Sequence, residues 1–444
     1  MQVLQWFVDL GANVMLPMII FVFALILGTK LKNAFYAGLT VGIGFVGLNL
    51  IIELLTSSLG PAAESMVARF DFDLNTIDVG WSAAAAISYG TALGSLAIPI
   101  ALGINFVLLL FGLTKTLNVD VWNYWHVAFT GSLVYAMTND FALGLFTIAV
   151  HVLVIFLLAD LLAPDIANYF GYKQITFPHA ASAPSYFLAK PLDAVFERVP
   201  GLNRIEASPE AIQKRFGFLG DSMVIGTLLG LIIGVLAGYN VTDTLQLAIK
   251  TGAVLVLMPK MVALLMEGLN PISEAGSNII KKRFPDRDLY IGMDSALSVG
   301  HPAVLSASLL MVPITLLLAV VLPGNTVLPF GDLATLPFLV CLMVPVFRGN
   351  ILRTLIAATV YIGIGLYIAT WITPLFTEMA MAADFDMDDY TSISALVDGA
   401  VWTTGLFAGL GKLLHWYGIG FIGLLAFGGL VFINKFKNRG GPPS

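Results

Sequence analysis

The stretch Ala83–Leu113, AAAAISYGTALGSLAIPIALGINFVLLLFGL, decides what kind of fold this chain can adopt. It is apolar almost throughout, yet it exceeds the roughly 20 residues that one membrane helix needs, and Gly90, Gly94, Pro99 and Gly103 interrupt it. Such breaks free backbone N–H and C=O groups inside a bilayer, where they are tolerated only if protein or a water-filled cavity satisfies them. The stretch therefore reads as a re-entrant hairpin followed by a spanning helix. Ile291–Leu322, interrupted at Pro302 and Pro313, reads the same way.

Outward from these two segments the whole chain has the composition of a membrane protein. Of 444 residues 58% are hydrophobic and 11% charged, and the mean hydropathy is +0.89, whereas soluble domains carry about 25% charged residues. That excludes a water-soluble enzyme and a disordered chain. Twenty-two Lys and Arg against 28 Asp and Glu, net −6, leave no general basic surface for nucleic acid. The opening MQVLQWFVDL carries Asp9 and no basic stretch before the apolar run, so a first spanning helix is expected there, not a cleaved signal peptide. The single cysteine, Cys341, lies in an apolar run and reads as a small buried hydrophobe.

Apolar runs near 11–29, 35–56, 83–114, 127–158, 221–238, 244–266, 291–321, 328–347, 351–373 and 393–433 predict an all-α polytopic protein with about 9–11 transmembrane helices. Lys and Arg collect at Lys30 and Lys32, Lys173–Arg215, Lys281–Arg287, Arg348 with Arg353, and Lys435, Lys437 and Arg439, which marks those segments as cytoplasmic. The acidic stretches Glu64–Asp78 and Glu378–Asp398 then face the other side, giving an outside N-terminus and an inside C-terminus. Ala163–Gly220 is the longest polar stretch, and within it SPEAIQKRF (Ser208–Phe216) reads as an amphipathic helix capped by Ser208. It is either a docking surface or a solvated connection.

A weak internal repeat appears when the two Pro-Ile pairs are aligned at an offset of 214 residues. Trp81-Ser82 in DVGWS, 18 residues before Pro99, then answers to Asp294-Ser295 in GMDS, 19 before Pro313, and downstream Thr138-Asn139 answers to Gly349-Asn350 within a few positions. The repeat predicts a single membrane domain in two halves, about 11–160 and 221–375, joined by the connection at about 163–220 and followed by C-terminal helices at about 393–435. A pseudo-two-fold transporter of this kind holds its solute between the halves, near the broken helices.

Ionisable groups are costly in a bilayer, so those that persist are functional candidates. In NVDVWNYWHVAFTGS, Asp120, Trp122, Asn123, Trp125, His126 and Thr130 stand together, with His126 and Thr130 one helical turn apart. Aromatic faces with hydrogen-bonding neighbours suit a sugar or polyol. An interfacial aromatic belt is the competing reading. His179 in FPHAASAPSY and His301, seven residues after Asp294 in GMDSALSVGHPAV, complete the set, each having a satisfied structural histidine as its alternative. Asp140, Glu53 and Glu267 are further carboxylates that either carry protons or simply end helices. No phosphate-binding GxxxxGK[ST] motif and no HExxH or CxxC occurs, so neither ATP nor a metal is implied.

The residues also carry a resemblance. DLGANVMLPMIIFVFALILGTK followed by AGLTVGIGFVGLNLI and GPAAE, then NVDVWNYWHVAFTGSL, GVLAGYNVTDTLQLAIKTGAVLVLMPK, and VLPGNTVLPFGDLAT with FRGNILRTLI, resemble the galactitol-specific enzyme IIC of the bacterial phosphotransferase system over about residues 8–375. The resemblance implies an inner-membrane permease with no bound cofactor. It carries a sugar alcohol that a separate soluble enzyme IIB, charged by IIA, phosphorylates from a phosphocysteine. It implies core and scaffold domains, an elevator movement and a homodimer. By similarity with the related ascorbate permeases it implies a substrate site at Trp81, Ser82, His126, Thr130, His179, Asp294 and His301, with Asp294 a candidate proton acceptor and no metal. SAAAAISYGTALGS and PHAASAPSY depart from the galactitol pattern, which leaves another hexitol or a pentitol open. An ion-coupled transporter that never phosphorylates its solute is the rival class; a purely structural membrane protein is the third.

Overall fold

A computed structural model describes residues 12–26, 28–70, 76–202, 204–209, 211, 214, 222–283, 289–329, 331–383, 385 and 392–436. In chain order the helices and strands are α1 (Ala12–Ile26), α2 (Leu31–Phe70), β1 (Thr76–Asp78), α3 (Gly80–Gly90), α4 (Gly94–Leu110), β2 (Thr116–Asn118), α5 (Trp125–Thr138), α6 (Phe141–Phe170), β3 (Ile175–Thr176) and α7 (Ala183–Phe196). They continue as α8 (Ser222–Leu236), α9 (Val241–Arg283), β4 (Tyr290–Gly292), α10 (Ala296–Val299), α11 (Pro302–Val321), β5 (Val327–Leu328), α12 (Leu336–Val340), α13 (Ile351–Ala382), β6 (Ile393–Ser394), α14 (Leu396–Gly399) and α15 (Trp402–Val431).

Among the described residues six helices are long and apolar enough to cross a membrane, and a seventh span is available if the pair Gly80–Gly90 and Gly94–Leu110, bent by 88°, is counted once. Two shorter apolar helices, Pro17–Ile26 and Met223–Leu236, lie below that length. The polytopic helical class expected from the sequence is therefore present, with the count of 9–11 resolved only in this coarser form. Residues 1–11, 284–288, 384, 386–391 and 437–444, which include parts of the first expected helix and of the expected charged loops, lie outside the described residues.

The bend in Ala83–Leu113 falls where its glycines are. Thr91 leaves helical geometry with φ −71° and ψ 158°. Its hydroxyl satisfies the break, accepting from the Gly94 N–H at 3.0 Å and lying 2.8 Å from the Ser88 carbonyl and 2.7 Å from the Ser132 hydroxyl. Gly94 sits against the backbone of Ser88 and Tyr89 so closely that a Cβ has no room. Deeper in, Gly131 on α5 and Gly144 on α6 face one another and let the two helices approach at backbone distance, the small-residue device of membrane helices. At 1.5 Å per residue α2 and α9 are each about 60 Å long, so both outrun a hydrocarbon core of about 30 Å.

Two small parallel sheets are the departure from an all-α reading. β1 lies between β5 and β6, with Thr76 opposite Val327 and Asp78 opposite Ser394. β4 lies between β2 and β3, with Asn118 and Thr176 both opposite Gly292. Strands of two or three residues paired across more than 50 positions leave no periodicity to read. Their role is to satisfy backbone groups where the helices stop. Two runs of the chain share one order of elements: β1–α3–α4–β2–α5–α6 and β4–α10–α11–β5–α12–α13. The start of each last helix is capped alike. Asp140 accepts from the Leu143 N–H at 3.0 Å after the left-handed Asn139, and Asn350 from the Arg353 N–H at 3.1 Å after the left-handed Arg348 and Gly349. β3 and β6 follow these helices.

The connection after α7 is tied down by charge. Arg353, 5% exposed, pairs with Asp193 at 3.1 Å and Glu197 at 2.7 Å, and Arg348 pairs with the same two carboxylates. The Arg353 hydrogen bond holds the Glu197 carboxyl below its usual range. Ser208 accepts from the Ala211 N–H at 3.1 Å, as a cap does, and much of the rest of SPEAIQKRF lies outside the described residues. Asp140 is a helix cap that also accepts from the Trp416 indole at 2.9 Å, while Glu53 and Glu267 are exposed on their helices.

Candidate functional site

Where the non-helical segments meet, a cleft of about 560 Å³ opens, counting its mouth. Trp81 and Val397 come from the segments after β1 and β6, Thr335 and Phe338 from the turn into α12, and Trp122, Asn123, Trp125 and His126 from the start of α5. His179 follows β3, Asp294 and Ala296 follow β4, and Phe45 and Asn49 belong to α2.

Buried carboxylates hold one wall. Asp78 accepts from the backbone N–H groups of Gly80 at 3.2 Å, Leu396 at 3.1 Å and Asp332 at 2.8 Å. Asp332 reciprocates, accepting from the N–H groups of Trp81 and Val397, each at 2.8 Å. Three chain segments far apart in sequence are thus fastened through two side chains, and the fastened residues include Trp81 and Val397 of the cleft. The ends of the two acidic stretches are built into the fold: Glu64 and Glu378 lie on α2 and α13, and Asp78 and Asp398 are 3% and 2% exposed, while the acidic residues at 71, 73, 384, 386, 388 and 389 lie outside the described residues. An amide network holds the other wall. Asn105 joins β2, donating to the Thr116 carbonyl and accepting from the Asn118 N–H, while Asn118 and Asp120 bond to one another and Asn123 donates to Asp120 at 2.8 Å.

At the centre His126 places Nδ1 2.9 and 3.0 Å from the two carboxylate oxygens of Asp398. Its ring lies 3.9 Å from that of Trp125 and 4.8 Å from that of His179, centre to centre. His179 Nε2 stands 3.7 Å from Asp294 Oδ1, beyond hydrogen-bond range. Asp294 also accepts from the Ala296 N–H at 2.9 Å, and the Ser182 hydroxyl lies 2.8 Å from that of Ser295 and 3.4 Å from His179 Nδ1. Among the described residues no three His, Cys, Asp or Glu side chains converge as a metal site. The arrangement can stack the carbon face of a small solute on indoles and give its hydroxyls both donors and acceptors.

The chain matches the EIIC-GAT family, described as the PTS system sugar-specific permease component (PTS, phosphotransferase system), over residues 6–389. It belongs to that family. It is 44% identical over 382 residues to the PTS system galactitol-specific EIIC component of Escherichia coli (strain K12), covering 86% of this chain and 85% of the relative, and equally so to that of Escherichia coli O157:H7. The protein is thus the membrane permease component of a phosphotransferase system and a multi-pass inner-membrane protein.

In this permease the fold brings Trp81, His126, His179 and Asp294 to the cleft, together with Trp122, Asn123 and Trp125 of the aromatic stretch. It leaves three expected site residues aside. Ser82 neighbours Trp81 but does not line the cleft. Thr130 is fully buried, with its hydroxyl 3.2 Å from the His126 carbonyl of its own helix. His301 caps α11, Nδ1 accepting from the Ala303 N–H at 3.2 Å beside the rings of Tyr169 and Phe170. A histidine just before proline is favoured in that extended capping conformation. Sequence reasoning passed over Asn49, Thr335, Phe338 and Asp398. Asn49 had a signal, a lone amide in the apolar run AGLTVGIGFVGLNLI; Asp398 had none, because the acidic residues before it hide it. Cys341 is buried as expected, its thiol donating to the Phe338 carbonyl at 3.3 Å.

Proposed function

We propose that the permease carries galactitol or a closely related polyol, and that the cleft is where it binds. The observation that carries this reading is the meeting of three indoles with two imidazoles and one carboxylate, a neutral-polyol chemistry, and the galactitol-specific relatives at 44% identity point the same way. Trp81, Trp122 and Trp125 offer stacking faces. His126, His179 and Asp294 take and give the hydroxyl hydrogen bonds, with Asn49, Asn123 and Thr335 beside them. Ser82, Thr130 and His301 stand outside the residues that line the cleft and support it through packing and capping. Asp294 or a histidine accepts the hydroxyl proton when a separate enzyme IIB, itself charged by IIA, phosphorylates the solute. A phosphorylated polyol is then retained, because a charged group cannot recross a hydrocarbon barrier unaided. The basic segments Lys173–Arg215 and Lys281–Arg287 are the docking candidates for IIB.

Two halves with one element order support an internal repeat. Thr76 and Tyr290, which begin β1 and β4, stand 214 positions apart, the same spacing as Pro99 and Pro313. Each sheet takes its central strand from one half and one flanking strand from the other, the second flanking strand, β6 or β3, following the last helix of that other half. On this reading the halves about 11–160 and 221–375 form one membrane domain around the connection at about 163–220. The core that contains the cleft moves as an elevator against a scaffold built on α2 and α9, in a homodimer. Binding of a panel of hexitols and pentitols to the purified protein, with ascorbate and galactose as controls and read as thermal stabilisation, tests the substrate class. A shift with one polyol that His126→Ala or Asp294→Ala abolishes is expected. A shift with ascorbate alone, or with an ion, overturns it, and solute that accumulates unphosphorylated in cells lacking IIB favours the ion-coupled class.

A further inference from the structure

Behind the cleft lies a carboxylate that does not itself line it. Asp398 lies on the short α14, is 2% exposed, and sits 272 positions after His126 in the chain, beyond the residues 6–389 of the family match. Its carboxylate brings both oxygens to within 3.0 Å of His126 Nδ1, and among the described residues His126 is the only side chain it bonds. With Asp398 ionised the carboxylate can only accept, and Nδ1 then carries the hydrogen of this bond. A neutral imidazole held this way keeps its lone pair on Nε2, at the far side of the ring. The ring has little freedom to turn, because Trp125 lies at 3.9 Å on one side and His179 at 4.8 Å on another, and His126 itself is 1% exposed.

We propose that Asp398 is a positioning residue for polyol binding: it fixes the tautomer and rotation of His126 so that Nε2 presents an acceptor to a solute hydroxyl. The proposal rests on the cleft being the polyol site. It makes the segment that follows β6 part of the binding machinery, since the imidazole comes from α5 and its orienting carboxylate from the far end of the chain. Outer partners of this kind set which ring nitrogen is free and in which direction it points.

Galactitol binding is measured by calorimetry on the full-length detergent-purified protein and on Asp398→Ala, Asp398→Asn, His126→Ala and the double variant His126→Ala/Asp398→Ala, with the thermal midpoint of each. Asp398→Ala is expected to weaken binding about tenfold or more, and Asp398→Asn, which keeps an acceptor oxygen for Nδ1–H, to stay within about threefold. The double variant should bind no more weakly than His126→Ala, because residues acting through one another are not additive. Parental affinity in Asp398→Ala, or a loss that adds in full to that of His126→Ala, overturns the proposal. If the alanine variant does not fold, the nitrogen-15 spectrum of histidine-labelled parent protein decides: a His126 protonated on Nδ1 upholds the proposal and one protonated only on Nε2 refutes it. Full affinity in His126→Ala instead overturns the site reading itself.

Discussion

Replacing Asp332 loosens the cleft and the fold together, by an amount the hydrogen bonds allow to be worked out. Asp332 is fully buried, and its two oxygens each take one backbone N–H, from Trp81 and from Val397, at 2.8 Å. Asp332→Ala strands both donors, that of Val397 buried and that of Trp81 part-buried; an unsatisfied buried donor costs about 1–3 kcal/mol and a part-buried one less, so the loss is about 1–5 kcal/mol. Asp332→Asn keeps one acceptor and sets an amide N–H against the other donor, so about half of that loss is expected. Because Trp81 and Val397 line the cleft, polyol affinity falls in the same order, alanine below asparagine below parent. Thermal unfolding in detergent, followed by tryptophan emission, and calorimetric titration of each variant with galactitol provide the two readings. An alanine variant that keeps both its midpoint and its affinity refutes the idea that these carboxylates fasten the wall.

Gly94→Ala has no room for its methyl beside Ser88 and Tyr89, so a loss of about 1–3 kcal/mol from overpacking is expected in the thermal midpoint. His301→Ala removes the cap of α11 and costs about 0.5–2 kcal/mol of stability, and neither it nor Thr130→Ala changes polyol affinity by more than about twofold; a large affinity loss in either returns that residue to the site. Glu197 has a depressed carboxyl in the folded protein, so the contribution of its pairing with Arg353 and Arg348 is present above the unfolded value and fades as pH falls through the lower folded one. Proteolysis of the connection after α7 should therefore quicken in acid in the parent, and Arg353→Met should be cleaved readily on both sides of that window.

The helical part of the fold was legible because bilayer physics writes it in long apolar runs and their breaks. The bend between α3 and α4 follows directly from Gly90 and Gly94, and the aromatic stretch before α5 announced four of the residues that line the cleft. The strands were not legible. Thr76–Asp78 and Val327–Leu328 have no pattern of their own, and only their pairing gives them meaning. His301 illustrates a different limit: its Nδ1 caps a helix, a use that sequence spacing alone does not separate from ligand binding. Asp78 and Asp398 illustrate the reverse. Counted by charge they belong to acidic loops, and only the fold turns them inward onto backbone amides and an imidazole.

If the cleft is the polyol site proposed above, the difference between those two kinds of buried carboxylate accounts for its preference for an uncharged solute. Asp78 and Asp332 spend their acceptor capacity on amides that the broken helices leave open, and Asp398 spends its own on His126. Asp294 differs: it takes one N–H from Ala296, stays 3.7 Å from His179, and its side chain is 13% exposed. On the proposed reading the cleft thus meets its solute with one partly open carboxylate and two imidazoles among indoles, so an added anion would face repulsion and a cation would find little but that carboxylate. On the same reading a polyol hydroxyl in front of His179 and Asp294 meets a ring nitrogen and a carboxylate oxygen, and its carbon chain has aromatic faces to cover. Once phosphorylated, the same molecule brings a dianion toward Asp294, so the chemistry that retains the product also favours its leaving the cleft.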